Sequence, residues 1–326
     1  MHSGLAAIYA LTQCPGIGTI TANQLGEHTK CKLDELASLP PHTLQLAGLS
    51  LTQIKTLQAD YSSAVQRLQN WVYQAHSSCP RCILTVTDPD YPPLLRQIPD
   101  HPLMLFVEGN KALLSSPQIA IVGARQASVN GKSQAHYFAK ELALRNWVIT
   151  SGLAQGIDAQ AHRGALAGGG GTIAVLGHGL AHMYPKQHAE LRHTIVLEGG
   201  CIISEYPPNQ SAKPHFFPQR NRIISGLSMG TFVVEAKHKS GSLITAQQAL
   251  CDNREVFALP GRIDDANAAG CNALIKQGAI LVDQVDDIDG YRFSLEKPQL
   301  PPILNSSDKN TQENLSRSDL LDSVNY

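Results

Sequence analysis

The 326-residue chain contains no run of about 18 apolar residues, which excludes a membrane-spanning helix. Charge is scarce too: 16% of residues are charged, and 26 Lys+Arg against 27 Asp+Glu leave a formal net charge of −1. That balance excludes a histone-like polycation and leaves a local basic cleft open. Seven cysteines, an odd number, are scattered through a chain too large to need covalent staples, so reduced thiols and a cytoplasmic location are expected. The opening MHSGLAAIYALTQCPG has a short apolar stretch without a basic region before it, and is not read as a secretion signal. Neither GxxxxGK[ST] nor GxGxxG occurs. Val122-Gly123-Ala124-Arg125 places an arginine where the close-approach glycine of a dinucleotide loop belongs, so no NAD or ATP cofactor is expected.

What is present is enough apolar content, 43%, to bury a real core, in a length that suggests two domains and a short third element. Residues 1–76 balance four basic against four acidic side chains and read as a helical bundle. A helix through Leu5, Ile8 and Leu11 precedes Pro15-Gly16-Ile17-Gly18, and the period resumes at Ile20, Ala22 and Leu25. Leu33, Leu36 and Leu39 suggest a helix ended by Pro40-Pro41, and Ile54 to Val72 suggests one long amphipathic helix. The Pro15–Gly18 turn is open to two readings, a phosphate-binding helix hairpin or a plain helix–helix turn. Residues 77–82 (SSCPRC) mark a boundary; the lone CxxC has no second pair at zinc-ligand spacing.

Across residues 77–290 short apolar runs alternate with helical stretches. Strands are expected at 119–122, 147–150, 172–176, 201–204, 231–234, 255–259 and 279–282, and helices near 131–146, 158–166, 186–193, 219–225, 242–252 and 270–277. The runs do not alternate polar with apolar, as befits strands covered on both faces. The expected fold is α/β: a doubly wound, mostly parallel, Rossmann-like sheet behind a small all-α domain. Residues 283–326 carry nine acidic and four basic side chains; a short helix is expected near 286–293, another at 315–321, and residues 291–326 are read as an acidic flexible tail.

Ligands on such sheets sit where the strands end. There the sequence supplies Gly123-Ala124-Arg125, Ser151-Gly152, Gly177-His178-Gly179 with Tyr184-Pro185-Lys186, the run from Lys213 to Arg222, and Glu235 followed by Ser240-Gly241-Ser242. Glycines allow close approach, hydroxyls and helix N-termini take phosphate oxygens, and Arg125, Lys186, Lys213, Arg220 and Arg222 add positive charge. Residues 119–262, with 14 Lys/Arg against 8 Asp/Glu, are where an anion would go. Phe216-Phe217 between Pro214 and Pro218 offers a ring for base stacking, with Phe216 expected outward and Phe217 inward. Catalytic constellations are poor. Asp158 and His162 share a helix face with no third metal ligand in view, and their expected roles are capping and packing. Glu235 is expected to be half-buried against an arginine, with an acid–base role as the alternative.

IAIVGAR, SGLAQGIDAQAHRGAL, IAVLGHGL with YPK, ISEYPP with FFPQRNRIISGLS, VVEA with SGSLITAQQA, and VFALPG with GCNALIKQGA resemble, in that order, the DNA-processing protein A (DprA/Smf) family. The likeness runs from about residue 83 to 285; residues 1–76 resemble, more loosely, that family's sterile-alpha-motif-like domain. The resemblance implies an extended Rossmann domain that binds single-stranded DNA without sequence preference and acts as a homodimer. It further implies protection of incoming single strands in natural transformation and loading of the RecA recombinase. By motif position, DNA contacts would come from Arg125, Lys186, Lys213, Phe216 and Asn221, with Ser151 and Gly152 as neighbours; Arg220, Arg222 and Ser242 belong to the same basic edge. The dimer contact would fall in the segment 270–282, at Asn272, Ile275 and Leu281. The polar tail departs from the pattern: a winged-helix domain is absent or degenerate. An enzyme reading competes, because Gly226-Leu-Ser-Met-Gly230-Thr231 with Glu235 is similar to the GGxGTxxE signature of nucleotide phosphoribohydrolases, with its first glycine pair broken.

Overall fold

The computed structural model describes residues 2–292. Helices α1 (His2–Gln13), α2 (Thr19–Thr29), α3 (Pro41–Leu46), α4 (Leu51–Leu57) and α5 (Ser62–Tyr73) come first. Then follow β1 (Arg81–Thr85), α6 (Pro93–Arg96), β2 (Met104–Gly109), β3 (Gln118–Val122), α7 (Val129–Leu144), β4 (Val148–Ser151) and α8 (Ile157–Ala167). The order continues through β5 (Thr172–Val175), α9 (Ala189–Leu197), β6 (Cys201–Ser204), α10 (Phe216–Leu227), β7 (Gly230–Val233) and α11 (Gly241–Cys251). It ends with β8 (Glu255–Ala258), α12 (Ala269–Lys276), β9 (Ile280–Leu281) and α13 (Asp286–Asp289).

The described residues form one nine-stranded sheet, ordered β1-β2-β6-β5-β4-β3-β7-β8-β9. From β6 across to β9 neighbours pair in parallel, whereas β1–β2 and β2–β6 are antiparallel. The two-residue period of a strand sorts its side chains into two cores. Ala174 and Ile202 face a core shared with α1, α2, α4, α5, α8 and α9, into which Trp71 packs edge-on to Phe106. Ile173, Val175, Ile203, Ala120 and Val122 face the other core with Ile223, Ile224, Ala246 and Cys271. Burial on both faces explains why these strands read as unbroken apolar runs.

Chain order steps from β3 outward to β6, then returns to place β7 against the other side of β3. The reversal falls between β3 and β7, so a crevice is expected outside the carboxyl ends of those two strands. The observed elements depart from the expected ones in several places, and the helix expected near 286–293 is shortened to Asp286–Asp289. β1 and β2 add an antiparallel wing that was not expected. The span 54–72 is two helices, with the Asp60 carboxylate accepting the Ser62 N–H at the break. Pro41 starts α3 instead of ending a helix, since proline's missing N–H costs nothing in a first turn. Leu36–Ser38 make only a short 3-10 turn. The helix expected at 315–321 and the tail lie outside the described residues.

Candidate nucleic-acid interface

The carboxyl end of β4 is fixed by buried hydrogen bonds. Ser151, fully buried, donates its hydroxyl to the Ile121 carbonyl at 2.6 Å and so ties β4 to β3. The Asp158 carboxylate accepts from the Gly152 and Ala154 amides at 3.2 and 3.4 Å, folding the loop back over the first turn of α8. Burial pushes the Asp158 carboxyl up, and the nearby Arg220 guanidinium opposes that push. Arg220 lies under the loop, donates to the Val175 carbonyl and packs against Gly152 where any Cβ would strike its guanidinium. Burial lowers its pKa to about 10, which leaves it charged at neutral pH.

Above this floor a cleft of about 510 Å³ opens at the β3/β7 crevice. Arg125 and Gln126 line it from β3, Phe217, Arg220 and Asn221 from α10, and Ser240 to Ser242 from α11. A smaller cavity of about 220 Å³ adjoins it, bounded by Gly152 to Gln155, Leu176 to His178 and Tyr184; Arg125, Phe217 and Arg220 line both spaces. The Phe217 ring lies 5.3 Å from Tyr184, and the Arg125 guanidinium sits 6.0 Å from its centre. Cations and an aromatic ring thus stand together at the junction, a combination suited to a phosphate and the base attached to it.

Arg125, Arg220, Asn221, Gly152 and Ser242 therefore converge on these two connected spaces. Asn221 donates to the Gly241 carbonyl at 3.4 Å, and Ser242 is held by Ser240, whose hydroxyl lies 2.7 Å from its own. Ser151 lies behind Gly152 with its hydroxyl spent. Lys186 and Lys213 are exposed at the same sheet edge but line neither space, Lys213 lying 5.4 Å from the Phe216 ring centre.

Three expectations need correction. The inward–outward division of Phe216 and Phe217 does not hold: both are half-buried, Phe216 stacks on Tyr206 at 3.9 Å, and Phe217 lines the cleft. Arg222 points away from the cleft. It pairs with Glu205 at 2.6 Å and Asp100 at 3.1 Å beside a separate 450 Å³ cavity. Two positions on along a helix is nearly the opposite face, so Arg220 and Arg222 cannot share a site. Glu235 pairs with no arginine among the described residues. Its carboxylate accepts from the Ser128 amide at 3.0 Å and the Ser128 hydroxyl at 2.6 Å, while that same hydroxyl caps α7.

Asp158 supports the loop as described and does not reach His162. His162 is fully buried, with Nδ1 2.7 Å from the Thr172 hydroxyl, and burial lowers its pKa to about 3. Ile17 and Gly18 of the Pro15–Gly18 turn line the separate cavity, beside the Arg222–Asp100–Glu205 cluster, and line neither space of the cleft. Asn272 exchanges two hydrogen bonds with the Gly261 backbone, Ile275 is half-buried on the second core, and Leu281 is exposed on edge strand β9. Lys237 and Lys239, which the sequence reading passed over, line the cleft from the loop after β7. Their signal was plain enough: two lysines directly beyond an apolar strand.

Residues 82–290 match the DNA recombination-mediator protein A family. Protein Smf of Escherichia coli K12 is 44% identical over 253 residues, covering 77% of this chain and 67% of that protein. The X-ray structure of DNA processing protein A from Streptococcus pneumoniae superposes with a TM-score of 0.74 at 36% identity, over 87% of this chain and 96% of that one. The Helicobacter pylori protein, whose structure concerns its single-stranded DNA binding mode, gives a TM-score of 0.58 at 28% identity, over 66% and 95%. Family match, sequence identity and superposition agree, and the chain belongs to the DNA recombination-mediator protein A family.

Proposed function

We propose that the cleft binds single-stranded DNA without sequence preference. The observation that carries this reading is the meeting of Arg125, Phe217 and Arg220 at one junction, with Asp158 the sole carboxylate lining the cleft among the described residues and its Oδ2 already engaged by two amides. Backbone charge and a ring face are common to every nucleotide, so such a junction discriminates strandedness and not sequence. The likeness to the Helicobacter protein supports it. Four or five phosphate contacts would give a salt slope of about −0.7 per contact.

The protein acts on this reading as a binder and not as an enzyme. Glu235, the group a phosphoribohydrolase would set against a ribose, is occupied by Ser128. Family membership supports the remaining roles: guarding incoming single strands in the cytoplasm, handing them to RecA, and pairing into a homodimer through Asn272, Ile275 and Leu281. A gel-shift comparison of single- and double-stranded oligonucleotides at two salt concentrations tests the core of it. Tighter, salt-sensitive binding of the single strand is expected. Equal or preferential binding of the duplex would overturn the reading.

A further inference from the structure

Lys237 and Lys239 are exposed, line the cleft, and form no ion pair among the described residues. They stand on the β7 side of the crevice, across from Arg125 on the β3 side. The same wall includes the first turn of the eleven-residue α11, where Ser240 caps the helix by accepting from the Ser242 amide. A helix start carries partial positive charge and N–H groups turned outward. A separate observation concerns the floor of the cleft. Arg220 is 4% exposed, and its Nε has no hydrogen-bond partner, so a buried cationic donor remains unsatisfied there. Ile244, 44% exposed, adds an apolar side chain to the same wall.

Two lysines separated by one residue and a helix start are more positive charge than one phosphodiester on Arg125 requires. We infer that Lys237, Lys239 and the first turn of α11 form a second phosphate subsite, which receives the backbone phosphate next to the one held at Arg125. The strand then crosses the crevice from β3 to β7 instead of running only along the Lys186 and Lys213 side. Ile244 lies beside the sugar and base between the two phosphates. This rests on the reading of the cleft as a single-strand site.

The test is fluorescence anisotropy of a labelled oligothymidylate over a salt series, with the full chain, Arg125→Glu, and the double variant Lys237→Gln/Lys239→Gln. Both lysines are exposed, so the double variant should fold, which its thermal melt checks. Its log–log salt slope is expected to be shallower by about 0.7, the worth of the one phosphate that the two lysines share, with affinities converging on the parent's at high salt. A parent that fails to bind overturns the single-strand reading and the subsite with it. A parent that binds, weakens on Arg125→Glu, and keeps its slope in the double lysine variant overturns the subsite alone.

Discussion

Phe216 and Phe217 adjoin in sequence but have been given different work by the start of α10, and replacing each by alanine separates the two. Phe217 lines both connected spaces, with Tyr184 at 5.3 Å and the Arg125 guanidinium at 6.0 Å. Stacking of one base on such a ring contributes about 1–3 kcal/mol. At about 1.4 kcal/mol per tenfold, Phe217→Ala should weaken oligothymidylate binding by about 5-fold to about 150-fold. The ring bears no charge, so the salt slope should stay that of the parent. Phe216 already has a face covered by Tyr206, and Phe216→Ala should cost folding stability and change affinity by less than about 3-fold, well under the worth of one stacked base. Anisotropy at two salt concentrations, with a urea titration of each variant, reads both effects. A larger affinity loss for Phe216→Ala than for Phe217→Ala would refute the assignment, as would a changed slope in Phe217→Ala.

Two further outcomes follow from the floor beneath the cleft. Gly152→Ala drives a methyl group into the Arg220 guanidinium, which the Val175 carbonyl holds in place, so urea unfolding should show a loss of about 1–3 kcal/mol; an unchanged midpoint would contradict that packing. His162, at about 3 in the folded chain against an ordinary 6.5, binds its proton more weakly than when unfolded. Its contribution is therefore complete above pH 6.5 and is lost as pH falls toward 3, by about 1.4 kcal/mol per unit. Between pH 6.5 and 5 that amounts to about 2 kcal/mol, to which His101 and His178, also lowered by burial, add in the same direction. Urea titrations across this range should show a shallower pH dependence for His162→Gln, and an identical one would remove the residue from the account.

The parallel strands were legible because each is short, apolar throughout and followed by turn residues. Burial on both faces leaves no other composition open to them. β2 is equally apolar, but it lies among prolines and pairs antiparallel, so the strand–helix alternation that exposed the others passes over it. Pro41 was misread because proline ends one helix and begins another with the same residue type, and only the surrounding geometry decides. The site was legible where loops follow strands, as at Arg125, Gly152 and Ser242. It was illegible where a basic run enters a helix: Arg220 and Arg222 look alike in sequence, and α10 turns one toward the cleft and the other toward Glu205 and Asp100. Glu235 ends an apolar strand as expected, but its partner is a serine 107 positions earlier, a long-range pairing that spacing does not reveal.

The most direct measurement is the salt dependence of oligothymidylate binding by Arg125→Glu beside the parent chain. Arg125 is exposed, lines both spaces and forms no ion pair among the described residues, so its reversal removes a phosphate contact without disturbing the core. Weaker binding at low salt and a log–log slope shallower by about 0.7 are expected. Binding as tight as the parent's, with the same slope, would contradict the reading of the cleft as a single-strand site.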